Sequence, residues 1–262
     1  MRQEIRVFFT ALMFYTRIPF PKWVDHSPDY INKSIRYFPL IGWIVGAGAA
    51  SVYLVGSWLI NPLFGICLSF AASVLITGAF HEDGFADACD GFGGGWTKDK
   101  ILAIMKDSRI GAYGVVGLII LYFFKTSLLW EISSLTDGFI ISLLFISAHS
   151  ISRFIAGTFV FTHDYVRDTD DSKAKPVAKQ SGLVNLITSF FFGVIPLVVL
   201  VFATKNYFFL LIIPATYLAK MWLSRYFTKW IGGYTGDCLG ATQQVIEVAV
   251  YLFLILVWKF TL

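Results

Sequence analysis

The sequence predicts an all-α, polytopic integral membrane protein, with about seven transmembrane helices bundled behind an N-terminal amphipathic helix at the interface. Composition and segment length predict it. The 262-residue chain is 56% hydrophobic and 15% charged, 18% aromatic, with 26 Phe, and its mean hydropathy is +0.68. Soluble domains sit near 45–50% apolar and about 25% charged, and a helix needs about 20 apolar residues to cross the hydrocarbon core. Seven stretches are long and apolar enough to span, near residues 39–60, 63–80, 112–130, 138–162, 183–203, 207–223 and 243–258.

Ahead of them, Ile5, Phe8, Phe9 and Leu12 recur at helical spacing, with Arg6, Thr10 and Arg17 on the other face. Such a helix lies in the membrane interface or packs on the protein's own loops. Arg17, Pro19 and Pro21 follow with no small-residue cleavage site, so this is not a cleavable signal. Asn61-Pro62, Asp137-Gly138 and Lys205-Asn206 mark short turns between spans. No repeat or soluble segment appears, so residues 1–262 are expected to form one membrane-embedded domain. The three cysteines, Cys67, Cys89 and Cys238, show neither CxxC spacing nor an even count, which argues against a disulfide framework or a zinc site.

Loop Lys and Arg divide seventeen to two between the alternate sides: residues 1–37, 81–111, 163–182 and 220–242 against Lys205 and Lys259. Positive charge stays inside. The N-terminus and the long loops are therefore expected to face the cytoplasm, and the C-terminus to face out. Lys125 and Arg153 fall inside spans.

Chemistry concentrates in His81-Glu82-Asp83-Gly84-Phe85-Ala86-Asp87-Ala88-Cys89-Asp90-Gly91. Asp83, Asp87 and Asp90 stand at i, i+4 and i+7, within roughly a 60° arc of a helix face. Carboxylates this close repel one another unless a cation neutralises them, and Mg²⁺ takes a few carboxylates plus substrate phosphates. Small residues between them let a bulky substrate approach. His81 is a proton shuttle or a hydrogen-bonded structural histidine.

Downstream, Lys106-Asp107-Ser108-Arg109-Ile110-Gly111-Ala112-Tyr113-Gly114 offers a bidentate Arg, a Lys and two glycines to a phosphate. A second cradle is Gly232-Gly233-Tyr234-Thr235-Gly236-Asp237-Cys238-Leu239-Gly240-Ala241, leading to Gln243 and Glu247 on one face of the last span. A carboxylate there coordinates or pairs, with Arg153 a possible partner. Lys173, Lys175, Lys179 and Gln180 hold a nucleotide phosphate or form a solvated basic loop.

With these motifs in place, the chain closely resembles the cobalamin synthase family, the adenosylcobinamide-GDP ribazoletransferases. Phe9–Pro21 (FTALMFYTRIPFP), Tyr37–Gly46 (YFPLIGWIVG), Thr77–Trp96 (TGAFHEDGFADACDGFGGGW), Ile104–Gly114 (IMKDSRIGAYG) and Tyr234–Ala241 (YTGDCLGA) match in family order over nearly the whole length. The resemblance implies a bacterial inner-membrane transferase working on the cytoplasmic side. There α-ribazole, or its 5′-phosphate, attacks adenosylcobinamide-GDP, GMP leaves, and Mg²⁺ is the expected cofactor. It implies Asp83, Asp87 and Asp90 as metal ligands. Glu82, Asp87 and His81 are then candidates for the catalytic step. Lys106, Asp107, Ser108, Arg109, Gly236, Asp237 and Glu247 are expected to bind substrate phosphate. The chemistry is similar to that of the CDP-alcohol phosphotransferases, by analogy only. The expected surroundings are lipid and no nucleic acid. An ion-coupled transporter with its site in the acidic helix is the alternative, but no internal repeat supports it.

Overall fold

The computed structural model describes residues 2–24, 27–167 and 182–261. Lys173, Lys175, Lys179 and Gln180 lie outside them. Helices follow one another as α1 (Arg2–Tyr15), α2 (Pro28–Ser34), α3 (Phe38–Leu59), α4 (Pro62–Thr77), α5 (Phe80–Gly94) and α6 (Lys98–Lys106). After them come α7 (Ala112–Leu135), α8 (Gly138–Gly157), α9 (Phe159–Thr162), α10 (Leu183–Thr204), α11 (Ile212–Ile231) and α12 (Gly236–Thr261). Short 3₁₀ turns precede α3 and α11. The fold is the expected helical membrane bundle. Among the described residues six helical runs are long and apolar enough to cross a bilayer, and the pair α4–α5 brings the number to seven if counted as one broken span.

The turn signals act as local caps. Asn61 accepts from the Phe64 amide at 2.9 Å with Pro62 at the first helical position, and Asp137 accepts from Ile140 at 2.8 Å. α3 crosses α8 on small residues: a Cβ at Gly42 would lie 2.4 Å from the His149 carbonyl oxygen, and one at Gly46 2.7 Å from Ile146 Cα. Small residues are what let transmembrane backbones approach this closely. Leu54, Val55, Phe123, Phe124, Phe191 and Phe202 turn outward and are exposed, as lipid-facing side chains should be.

α1 corrects part of the expectation. Val7, Ala11, Leu12 and Tyr15 are its buried apolar residues, whereas Ile5 is exposed. Thr10, expected on the polar face, is fully buried and returns its hydroxyl to the Arg6 carbonyl at 2.9 Å. The helix therefore packs on the protein. Phe8 meets Tyr37 edge-on, and Tyr15 stacks on Phe38 with ring centres 4.3 Å apart.

The decisive turn comes after α4. Gly78 and Ala79 both adopt left-handed backbone, φ 67° and 58°, and the chain bends by 93° into α5. A non-glycine residue there stores about 1 kcal/mol or more. That turn swings the acidic segment out of line with α4 and onto the ends of α7 and α12.

Candidate functional site

The acidic segment is helical from Phe80 to Gly94, so the three aspartates do share a face. Their environments differ in steps. Asp83 is exposed, Asp87 is half-buried and Asp90 is buried. Asp90 is already engaged within the protein. Its two carboxylate oxygens accept from the amides of Gly111 at 2.7 Å and Gly114 at 2.8 Å. Gly111 is the N-cap of α7 and has no side chain to cap with. Asp90 supplies the cap from another helix, satisfying two of the amides a helix start leaves open and placing negative charge at its positive end.

This changes the sequence expectation for two groups. Asp90 is a seat for α7 before it is a metal ligand. The glycines of the 106–114 segment serve that seat: a Cβ at Gly111 would lie 2.4 Å from Asp90 Oδ1, and one at Gly114 2.5 Å from Oδ2 and 3.1 Å from the Ala86 carbonyl. Gly114→Ala should therefore push the carboxylate off its amides. The expected loss is about 2 kcal/mol, seen as a lower unfolding temperature of the detergent-solubilised protein. An unchanged temperature would show that the seat is adaptable.

The open end of the stripe gains a member from α12. Gly84 of α5 abuts Asp237 and Gly240, with a Cβ at Gly84 falling 3.1 Å from Asp237 Cα. The negative charges of Asp237, Asp83 and Asp90 all bear on Asp87. Asp237 Oδ2 accepts from the Arg167 guanidinium at 2.5 Å, and the same nitrogen donates to the Met105 carbonyl at 3.1 Å. One arginine thus ties the end of α6 to the start of α12 beside the acidic helix. The 163–182 segment had shown Arg167 only as a loop charge. The pairing of Tyr165 with Tyr234 brings it here, through Val166 N to Tyr234 O and Tyr234 N to Asp164 O, both 3.0 Å.

Arg109 is placed less centrally than expected. Its side chain is 87% exposed and grips Asp107 two residues away, Nη2 to Oδ2 at 2.7 Å. That hydrogen-bonded guanidinium holds the Asp107 carboxyl down at about 2. Lys106 and Ser108 are exposed on the same loop, and Gly236 starts α12 beside Asp237.

His81, Glu82 and Glu247 turn the other way, into the bundle. The His81 ring is buried and stacks on Phe38, centres 5.6 Å apart. Glu82 Oε1 accepts from Gln244 Nε2 at 2.9 Å. Glu247 is 3% exposed and takes Lys125 on Oε1 at 2.8 Å and Gln243 on Oε2 at 2.9 Å. Lys125 also donates to Gln244 at 2.6 Å, and Arg153 packs against His149 with Nη1 3.1 Å from Nδ1. Glu247, expected among the phosphate-binding residues, is held here in a buried ion pair whose partner is Lys125 rather than Arg153. Glu82 and His81 likewise belong to this internal polar layer and not to the open acidic face.

The metal question can be put to the donor set. Among the described residues no three His, Cys, Asp or Glu side chains converge as a ready-made metal cluster. Among the described residues no side chain hydrogen-bonds Asp83 or Asp87, and Asp237 adjoins them. Two carboxylates completed by substrate phosphate oxygens fit a hard divalent cation, which rarely sits in an all-protein cage.

A model of the family described as cobalamin-5-phosphate synthase matches residues 7–255. The chain belongs to the cobalamin-5-phosphate synthase family. It is 42% identical over 255 residues to the adenosylcobinamide-GDP ribazoletransferase of Shewanella halifaxensis (strain HAW-EB4), covering 97% of this chain and 96% of that one. It is 43% identical over 254 residues to the enzyme of that name from Shewanella pealeana (strain ATCC 700345 / ANG-SQ1), with 97% and 96% covered. No solved structure matches. Membership of the cobalamin-5-phosphate synthase family sets aside the transporter alternative.

Proposed function

We propose that the chain is an adenosylcobinamide-GDP ribazoletransferase. It joins adenosylcobinamide-GDP to α-ribazole or its 5′-phosphate, releasing GMP and adenosylcobalamin or its 5′-phosphate. Family membership supports the reaction, and one observation supports its place on the chain: the open face where Asp83 and Asp87 of α5 meet Asp237 of α12 and Arg167.

The ribazole 3′-oxygen forms a bond to the phosphorus that carries cobinamide, and the bond from that phosphorus to the GMP oxygen breaks. The hydroxyl proton passes to a carboxylate on this face. Asp87 suits that role better than Glu82, whose carboxylate is turned inward. Arg167 meets the developing negative charge as Asp237 shares it with substrate. A Mg²⁺ held by Asp83 and Asp87 would neutralise the diphosphate and the departing GMP. The seventeen-to-two charge bias supports a cytoplasmic face for the site in a bacterial inner membrane. A reporter fused at Lys98 should then read cytoplasmic and one at the C-terminus periplasmic. A cytoplasmic signal at both would break the seven-span arrangement.

The direct test is GMP release from adenosylcobinamide-GDP by purified protein, with and without α-ribazole. Release that requires α-ribazole supports the assignment, and its absence under Mg²⁺ refutes it. In the same assay Arg167→Lys should lower turnover about a hundredfold, close to 3 kcal/mol, since the charge stays but the planar, multi-donor guanidinium goes. Arg109→Lys, exposed and self-paired, should lower it much less. The reverse ranking would restore Arg109 as the phosphate grip.

A further inference from the structure

Two cavities follow one face of α11 at the same end of the bundle as the acidic helix. The deeper one, about 450 Å³, is apolar, lined by Phe154, Phe161, Leu186, Phe190, Phe191 and Tyr217 among others. Phe190 and Phe191 are exposed on α10, so it opens sideways toward lipid. The shallower one, about 500 Å³, is lined by basic and hydroxyl-bearing residues, His163, Ser224, Arg225, Thr228 and Lys229. Tyr217, Ser224 and Thr228 stand at i, i+7 and i+11, one stripe of α11, and Thr162 of the deep cavity adjoins His163 of the shallow one.

At the junction sits Lys220, 1% exposed. Its ammonium donates to Thr162 Oγ1 at 3.0 Å and lies 4.5 Å from the centre of the Phe159 ring. Among the described residues no carboxylate pairs with Lys220, Arg225 or Lys229. Among the described residues the acidic neighbour acting on His163 is Asp164. Trp222, Tyr226 and Trp230 run along α11 beside the basic cavity, with Trp222 stacked on Tyr226, the aromatic dress of a helix at the headgroup level.

We infer that this face of α11 is a binding site for one anionic glycerophospholipid, its phosphate held by Arg225 and Lys229 and an acyl chain laid into the aromatic groove. The order of the cavities carries the inference. Apolar space lies toward the middle of the membrane and basic space toward its surface, matching the polarity of a lipid of that leaflet. A zwitterionic lipid fills the groove equally well but leaves the cations without a net counter-charge, and basic pockets between transmembrane helices select anionic headgroups. The site is separate from the acidic face: α11 meets α5 through Phe227 stacked on Phe92, which lies on the opposite side of α5 from Asp83.

The test is lipid retention by the full chain purified in detergent and analysed by native mass spectrometry after addition of dioleoyl phosphatidylglycerol or dioleoyl phosphatidylcholine. The expected result is at least tenfold preference for phosphatidylglycerol. Arg225→Glu with Lys229→Glu should bring it down to the phosphatidylcholine level, and both positions are exposed, so the fold should survive. A bulky Leu186→Trp should weaken both lipids together. Inorganic phosphate should displace nothing. Equal retention of the two lipids, or a preference unaffected by the charge reversal, overturns the site. Displacement of the lipid by α-ribazole 5′-phosphate also overturns it, and would mark the groove as a substrate pocket.

Discussion

Asparagine at Asp83 or at Asp87 is expected to reduce GMP release by a thousandfold or more, about 4 kcal/mol in activation free energy, while the protein still inserts and folds. Both side chains lie on the open part of the α5 face, and among the described residues neither holds the bundle together through a hydrogen bond to another element. Asparagine keeps shape and removes the negative charge that a cation or an attacking hydroxyl needs. Asp90→Asn should behave differently, because that carboxylate caps α7. An amide has one acceptor oxygen for two amide donors, so one is left facing an NH₂ group. Stability should fall by about 1–3 kcal/mol, with turnover falling in proportion to the folded fraction. The paired readout is GMP release per folded molecule beside the unfolding temperature. Normal turnover in both Asp83→Asn and Asp87→Asn would make the whole stripe structural and move the site elsewhere. Chelation should stop the wild type, with Mg²⁺ restoring it. Undiminished release in a chelator would remove the cation from the scheme and leave Arg167 and Lys106 to carry the phosphate charge.

The spans were legible because hydropathy over some twenty residues is a sum that no single misjudged side chain can reverse, and the caps because Asn61-Pro62 and Asp137 act within their own turns. The helical stripe at Asp83, Asp87 and Asp90 was legible for the same reason of local spacing. What its members do was not: i, i+4, i+7 gives the face of a helix but not the gradient of burial along it. Asp90 reads alike whether it meets a cation or the amides of Gly111 and Gly114. Arg167 looked like any positive loop charge, since only the Tyr165–Tyr234 pairing carries it to Asp237, 70 residues away. Thr10 sat on a polar stripe in sequence, yet a threonine whose hydroxyl returns to the helix carbonyl can be buried, so the packed face of α1 is wider than its large side chains suggest. The intramembrane charges were visible as anomalies, but a partner 122 residues away cannot be chosen from several candidates by spacing.

That buried pair should show the largest stability effect in the molecule. Lys125→Met is expected to destabilise the fold by about 3–5 kcal/mol. The methionine fills nearly the same space but leaves Glu247, 4% exposed at its side chain, with its main cation gone. His149 Nδ1 stands 3.6 Å from the other oxygen and Arg153 reaches His149, so the remaining positive charge is one step removed. Gln244 loses the donor on its Oε1 and with it the fixed orientation that presents Nε2 to Glu82. The loss thus travels from α7 through α12 to the first turn of the acidic helix. Removing both charges should reverse most of it: in Lys125→Met with Glu247→Gln no charge stays buried without a counter-charge, and replacing a whole buried pair is often neutral. A double-mutant cycle on the unfolding free energy checks this, with a coupling of roughly 2 kcal/mol or more expected. If Lys125→Met alone leaves the unfolding midpoint unchanged, water or Arg153 already carries Glu247, and the Lys125 contact is not what holds α7 to α12.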